Sequence, residues 1–204
     1  MKDILILGAG GHGKVVADIL MSQGAGVLGF LDDDPTLWHT EILGLPVLGS
    51  IDHYADYGPA GLIIGIGINR VRQSIVHRLG EAADSLWISA VHPRAIIGRS
   101  VHIGVGTTIM AGAVVNPDTV IGNHTIVNTA ATIDHDCAIG DFVHVARGAH
   151  LAGGVRVGDL SFVGIGANLI PYLTIGAGVT IGAGAAVVRD VPDGVTAKGV
   201  PARW

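Results

Sequence analysis

With 204 residues and a net charge of −5, the chain is long enough for one large domain or two small ones, each with a hydrophobic core. Its Lys and Arg are scattered, so the electrostatic footprint of a nucleic-acid binder is missing. Apolar residues make up 49% of the chain and mean hydropathy is +0.55, which excludes disorder, yet Trp, Tyr and Phe occur only three times each.

Glu occurs twice and Lys three times, beside 32 Gly. Residues for the exposed faces of a mainly helical protein are therefore lacking, and many backbone positions must turn tightly or be approached closely. The single cysteine, Cys137, cannot form an internal disulfide. The opening MKDILILGAG reads as a buried strand running into a glycine turn and not as a signal peptide, so a cytoplasmic protein is expected. The uncharged tract Leu173 to Val188 is shorter than the roughly 20 residues needed to span a bilayer, and no membrane span is expected.

From the start, short apolar runs alternate with helical stretches: ILIL (4–7), VVADIL (15–20), VLGFL (27–31), LIIGIGI (62–68) and RVRQSIVHRL (70–79). The pattern predicts an α/β domain over 1–88 with a parallel sheet, the size of one mononucleotide-binding half of a doubly wound fold. Gly8, Gly10 and Gly13 follow the first strand in the spacing of a dinucleotide-binding loop, with Asp32 at the end of the next strand where a ribose-binding acid is expected. Two readings stand beside a nucleotide site here. One is a ligand-free turn; the other is a nicotinamide cofactor, against which stands the lack of a second half-domain.

Beyond residue 88 the period changes. An aliphatic residue recurs at every sixth position from Val91 to Val187 without a slip, and four residues after each sits another small or apolar side chain, such as Ala113, Thr125 or Cys137. Glycine often follows directly, as at Gly98, Gly104, Gly122, Gly140 and Gly158. A period of six is neither helical nor that of a long strand. It predicts a parallel β-helix over 89–204, three hexads to a triangular coil, with the aliphatic column inside and the segment after Pro192 capping or trailing from its end. The outward residues Ile126, Phe142, Phe162, Ile165 and Ala183 are apolar or small and predict faces covered by other subunits.

Within the hexads lies Asp134-His135-Asp136. Carboxylates beside an imidazole favour its charged form and so raise its basicity, which suits a general base. His102, His124 and His150 read as solvated side chains. Cys137 falls in the inward small-residue column and reads as a buried, inert thiol. A zinc site built from His135, His144 and His150 matches no ligand spacing, so no metal is expected.

These features together resemble the hexapeptide-repeat sugar acetyltransferases that join a Rossmann-like N-terminal domain to a left-handed β-helix, the bacillosamine, perosamine and sialic-acid acetyltransferase group. The resemblance rests on Gly8-Ala9-Gly10-Gly11-His12-Gly13-Lys14, Phe30-Leu31-Asp32-Asp33, Gly65-Ile66-Gly67 with Asn69 and Arg70, His92-Pro93, and Ile133-Asp134-His135-Asp136-Cys137. It implies transfer of an acetyl group from acetyl-CoA to a nucleotide-linked amino sugar, with N-acetylation of a 4-amino group ahead of O-acetylation. By the same resemblance His135 is the base and Asp136 its partner, His144 contacts the thioester end of acetyl-CoA, Gly153 supplies an oxyanion N–H, and Ile165 and Ala183 line the pantetheine groove. Gly10, Gly11, His12, Asp32, Asp33 and Gly65 would hold the nucleotide sugar, and a homotrimer would form the active sites between neighbouring prisms. A non-enzymatic β-helix scaffold is the rival, disfavoured because a scaffold has no use for Asp-His-Asp in a turn.

Overall fold

The computed structural model describes residues 3–204. The chain divides into two compact units, Met1–Pro93 and Arg94–Trp204.

In the first unit the apolar runs become β1 (Asp3–Leu7), β2 (Gly26–Leu31) and β5 (Gly61–Ile64), with helices α1 (Gly11–Ser22) and α2 (Asn69–Leu79) following β1 and β5. Two strands not expected from the sequence, β3 (Glu41–Ile42) and β4 (Leu45–Gly49), complete a sheet of order β3-β4-β2-β1-β5. Leu5, Leu7, Leu31 and Ile64 are buried in its core. The run 62–68 stays extended only to Ile64, because Gly65-Ile66-Gly67 leaves the sheet as a loop.

As expected, β1, β2, β4 and β5 run parallel; the sheet is mixed only because the two-residue strand β3 pairs antiparallel with β4. Leu43 and Gly44 between them both lie in the left-handed region, at φ 55° and 74°. That is the two-residue turn whose twist matches a hairpin. The chain crosses from the β2 side of β1 to the β5 side, so the loops after β1 and β5 flank the switch point where α/β sheets receive ligands.

In the second unit each hexad forms a two-residue strand, and strands pair in parallel with those 18 residues on. The structure is the parallel β-helix expected from the hexads, with three hexads to a coil, and left-handed as the family resemblance implies. One face carries Thr132, His150 and Asn168 outward on successive coils, the second Ala138, Arg156 and Thr174, and the third Ile126, His144 and Phe162. The aliphatic column is buried, as at Ile121, Ile133, Val145 and Val163. Hydroxyls that the repeat places inside are satisfied along the same axis. Thr125 Oγ1 donates to the Gly140 carbonyl at 2.8 Å and accepts from the Val143 N–H at 3.0 Å.

Glycine directly after the aliphatic residue is explained by packing between coils. A Cβ on Gly122 would lie 2.6 Å from the carbonyl carbon of Gly140, where no side chain fits. The left-handed turn residues stand two positions later, and many are not glycine: Asp118, His124, Asp136, Phe142, Leu160 and Tyr172.

Two local expectations are corrected, and of the two alternatives for the C-terminal segment the structure shows capping. Ile126 is buried within the chain itself, between Thr108 and His144 of the adjoining coils, and the turn side chains His124 and Phe142 stack with ring centroids 5.2 Å apart. His124, stacked on Phe142, is buried and not solvated. The C-terminal segment caps its end of the prism: Thr196–Ala197 pairs with Thr180–Ile181, and Ala202 is buried. Among the described residues no helix is long and apolar enough to cross a membrane.

Candidate active site

His135 and Asp136 stand on the corner between the first and second faces of the prism. Asp136 takes the left-handed turn position at φ 59°, a conformation that short polar side chains tolerate. Its Oδ2 lies 2.6 Å from His135 Nδ1, so the carboxylate accepts the Nδ1 proton and leaves Nε2 with its lone pair outward. The hydrogen bond to Asp136 is the main cause that raises the His135 pKa, with Asp134 and Asp136 adding favourable charge.

On the other side of His135, Asp134 Oδ1 accepts two hydrogen bonds at 2.8 Å, from the His135 backbone N–H and from Asn116 Nδ2 one coil earlier. These bonds hold Asp134 ionised, below the usual carboxylate range. Asn116 was not apparent as part of the site. The available signal is that Asn116 and Asp134 both follow an inward aliphatic residue and lie one coil apart.

One coil further, the backbone of Gly153 comes up against the imidazole. A Cβ at Gly153 would meet His135 Cε1 at 2.7 Å and Nε2 at 2.8 Å, so only glycine leaves the ring its place. Tyr172 occupies the equivalent space over Gly154. Cys137 next to the pair is buried, its Sγ donates to the Ala152 carbonyl at 3.3 Å, and burial pushes its thiol pKa up. That is an inert core thiol.

The remaining residues expected in the prism are not on this corner. His144 lies on the third face, opposite it in the cross-section; it is buried, hydrogen-bonded through Nε2 to Asn128 Nδ2 at 2.9 Å, and edge-on to Phe162. Ile165 and Ala183 are exposed on the corner between the third and first faces. A single chain thus unites His135, Asp136 and Gly153 but separates them from His144, Ile165 and Ala183.

In the first unit the glycines of the loop divide by cause. A Cβ on Gly13 would lie 2.2 Å from the Gly8 carbonyl oxygen, and one on Gly65 would lie 2.7 Å from Gly13 Cα, so Gly13 and Gly65 are required by packing. Nothing stands within 4 Å of a Cβ on Gly10 or Gly11, and Gly10 has ordinary extended backbone at φ −79°. The packing of the fold therefore does not require glycine at those two positions. Helix α1 has no side-chain N-cap and no acid in its first turn, which suits an anion. His12 is half-buried there. We expect Gly13→Ala to cost about 2–3 kcal/mol by forcing backbone against backbone, while Gly10→Ala leaves the unfolding transition unchanged, both read by thermal denaturation.

Asp32 and Asp33 are already partly engaged. Asp32 accepts from the Ala9 N–H at 2.7 Å and the Asp34 N–H at 2.9 Å, tying the glycine loop to the end of β2. Asp33 pairs with Arg78 at 2.8 Å and accepts from Ser50 and the Ile51 N–H, and its pKa is lowered despite partial burial. Both line a cavity of about 370 Å³ shared with Ile66, Arg70, Ser74 and Arg78.

An α/β unit with a glycine loop, joined to a left-handed β-helix with a His–Asp pair on one corner, defines a hexapeptide-repeat transferase with a nucleotide-binding type of N-terminal domain. The PglD N-terminal domain family matches residues 3–79. The chain is 41% identical over its full length to perosamine N-acetyltransferase from Caulobacter crescentus, solved as a single-histidine variant with CoA and GDP-perosamine, at a TM-score of 0.93 and 96% coverage of that chain. It is 38% identical to the acetyltransferase domain of PglB from Neisseria gonorrhoeae, at a TM-score of 0.91, covering 100% of this chain and 99% of that one. It also shares 41% identity over 119 residues with UDP-N-acetylbacillosamine N-acetyltransferase of Bacillus subtilis, a match covering 54% of this chain and 52% of that protein. The chain therefore spans about half the length of that curated relative. It belongs to the hexapeptide-repeat sugar acetyltransferase family with a Rossmann-like N-terminal domain.

Proposed function

We propose that this chain transfers an acetyl group from acetyl-CoA to the 4-amino group of a nucleotide-linked sugar, with His135 as general base. The observation that carries the reading is the 2.6 Å His135–Asp136 bond with the imidazole held over Gly153. His135 Nε2 takes the proton of the amine as its nitrogen attacks the thioester carbonyl, and the sulfur departs as the CoA thiol. Asp136 keeps the imidazole in the tautomer that accepts at Nε2 and stabilises the imidazolium that results. The Gly153 N–H supplies a donor for the developing oxyanion that needs no reorganisation. The exposed side chains of Ile165 and Ala183 form an apolar strip suited to the pantetheine arm, and His144 faces its thioester end. A thiol-release assay of acetyl-CoA against UDP-, GDP- and dTDP-linked amino sugars tests the reading; no release with any of them overturns it.

The nucleotide sugar is assigned to the N-terminal domain, residues 1–88, and acetyl-CoA to residues 89–204. Gly10, Gly11 and His12 take the phosphates at the start of α1, while Asp32, Asp33 and the loop at Gly65 flank the nucleoside. Gly11→Asp sets a negative charge where a phosphate would bind. The expected result is weaker nucleotide-sugar binding with unchanged acetyl-CoA affinity, read by calorimetry with each ligand separately.

The assembly proposed is a homotrimer. Its support is the separation of His135 from His144, Ile165 and Ala183 within one chain, which a neighbouring prism would close. Dilution that separates subunits should then abolish turnover together with the oligomer, followed by light scattering and thiol release at matched concentrations. A monomer with full turnover would refute the shared site.

A further inference from the structure

Arg72 is 1% exposed and the largest fully buried side chain among the described residues, yet neither the reaction nor the apolar core calls for it. It stands at the end of the first turn of α2. Because helical side chains lean toward the N-terminus, its guanidinium reaches back over Gly65-Ile66-Gly67, the loop that carries the chain from β5 into the helix. That loop leaves the sheet once the Gly65 N–H has donated to the Leu7 carbonyl at 2.7 Å, so the carbonyls that follow must find donors off the sheet. Arg72 Nη1 donates to the carbonyls of Ile66 and Gly67 at 3.2 and 3.0 Å, and Nη2 donates to Asn69 Oδ1 at 3.0 Å. Burial lowers the Arg72 pKa to about 9, so the group remains a charged donor at neutral pH. Stability is a weak reason for this arrangement, since apolar side chains of similar volume often replace buried charged groups without loss. What arginine adds is a planar fork of donors in fixed directions.

The loop so held is a wall of the cavity of about 370 Å³ in this unit, where Ile66 stands with Asp32 and Asp33. Arg72 itself does not line it. Ile66 also rests against the glycine loop, since a Cβ on Gly8 would collide with its side chain, and Gly65 packs against Gly8 and Gly13. We propose that Arg72 is a positioning residue for the nucleotide end of the acceptor: by holding the carbonyls of Ile66 and Gly67 it fixes one wall of the cavity and the seat of the glycine loop. The inference rests on the nucleotide reading above and deepens it by naming a residue that acts without touching the ligand. It also gives a part to Asn69, which is 9% exposed and accepts from the same guanidinium. Every contact in the argument lies within the first unit.

The test uses the full chain and two variants. Arg72→Met fills the space without donors, and Arg72→Lys keeps the charge but offers a single nitrogen in place of the fork. Folding is checked by thermal denaturation. Calorimetry with UDP, GDP and dTDP, in the absence of acetyl-CoA, gives the nucleotide Kd, and thiol release gives KM for the nucleotide-linked amino sugar. Both should rise about tenfold or more with Arg72→Met, equivalent to about 1.4 kcal/mol. With Arg72→Lys the rise should be smaller, about threefold or more, and this variant carries the test if Arg72→Met does not fold. KM for acetyl-CoA, kcat at saturating sugar and its pH profile should not move, because the base stands in the other unit. Nitrogen-15 relaxation of the Gly65 and Gly67 amides should show the loop ordered in the free wild type and loosened in the variants.

A nucleotide Kd and sugar KM within twofold of wild type in a folded variant overturn the positioning role. An equal rise in KM for both substrates alongside a lowered melting temperature overturns it as well, because the arginine would then be merely structural. A wild type that binds none of the three diphosphates overturns the nucleotide reading and the role of Arg72 with it. Diphosphate binding that depends on Arg72 without any acetyl transfer would uphold the role of Arg72 and overturn the reading of the reaction.

Discussion

Replacing His135 with alanine is expected to lower kcat by a factor of 10² or more while leaving folding and acetyl-CoA binding intact. The side chain is half-exposed, its ring makes no contribution to the buried column, and the scale is that of removing a positioned general base. Steady-state thiol release and a melting curve check both halves; a variant retaining more than a third of the wild-type rate at neutral pH removes His135 from the chemistry. The pH dependence follows from the raised pKa. Only neutral imidazole accepts a proton, and a raised pKa keeps it charged to higher pH. Activity should therefore fall as pH drops through a value above the ordinary histidine range near 6.5. Asp136→Asn removes the main cause of the rise, so the acid limb should move to lower pH while the maximal rate falls.

Gly153→Ala is expected to approach the loss seen without the base itself, at least tenfold in kcat, although it removes no functional group. The added methyl would sit 2.7 Å from His135 Cε1 and 2.8 Å from Nε2, closer than Cβ contacts occur, so the ring must swing away. Because the imidazole is exposed, the ring gives way more cheaply than the backbone, and the fold survives. Displacement breaks the 2.6 Å bond to Asp136 and carries Nε2 away from the attacking amine. NMR of the His135 ring should show its pKa returning toward the ordinary value, a readout that loss of an oxyanion donor alone would not move. An alanine variant with wild-type kcat and an unchanged His135 titration would show that the ring is not held over Gly153.

The two units were legible to different depths. The β-helix could be read from Val91 to Val187 because each hexad is a local rule: one inward aliphatic residue, one small one and a turn. The adjacent pair His135 and Asp136 was legible for the same reason, since neighbours on a tight turn can reach each other wherever the turn lies. In the first unit the strand–helix alternation was clear, but β3 and β4 were missed because Pro46 interrupts an already short run, and the hairpin depends on Leu43 adopting a left-handed backbone that its side chain disfavours.

What the amino-acid sequence alone determined was the period, the buried column and the pair on the corner, all of which follow from contacts within six residues. The tertiary structure decided what stands one coil away. It set Asn116 against Asp134, brought Gly153 under the imidazole, buried Ile126 and His124, and placed His144 on the face opposite the base. Those relations depend on the 18-residue register at which strands stack, and on how little space two backbones leave between coils. Neither quantity is carried by any single hexad.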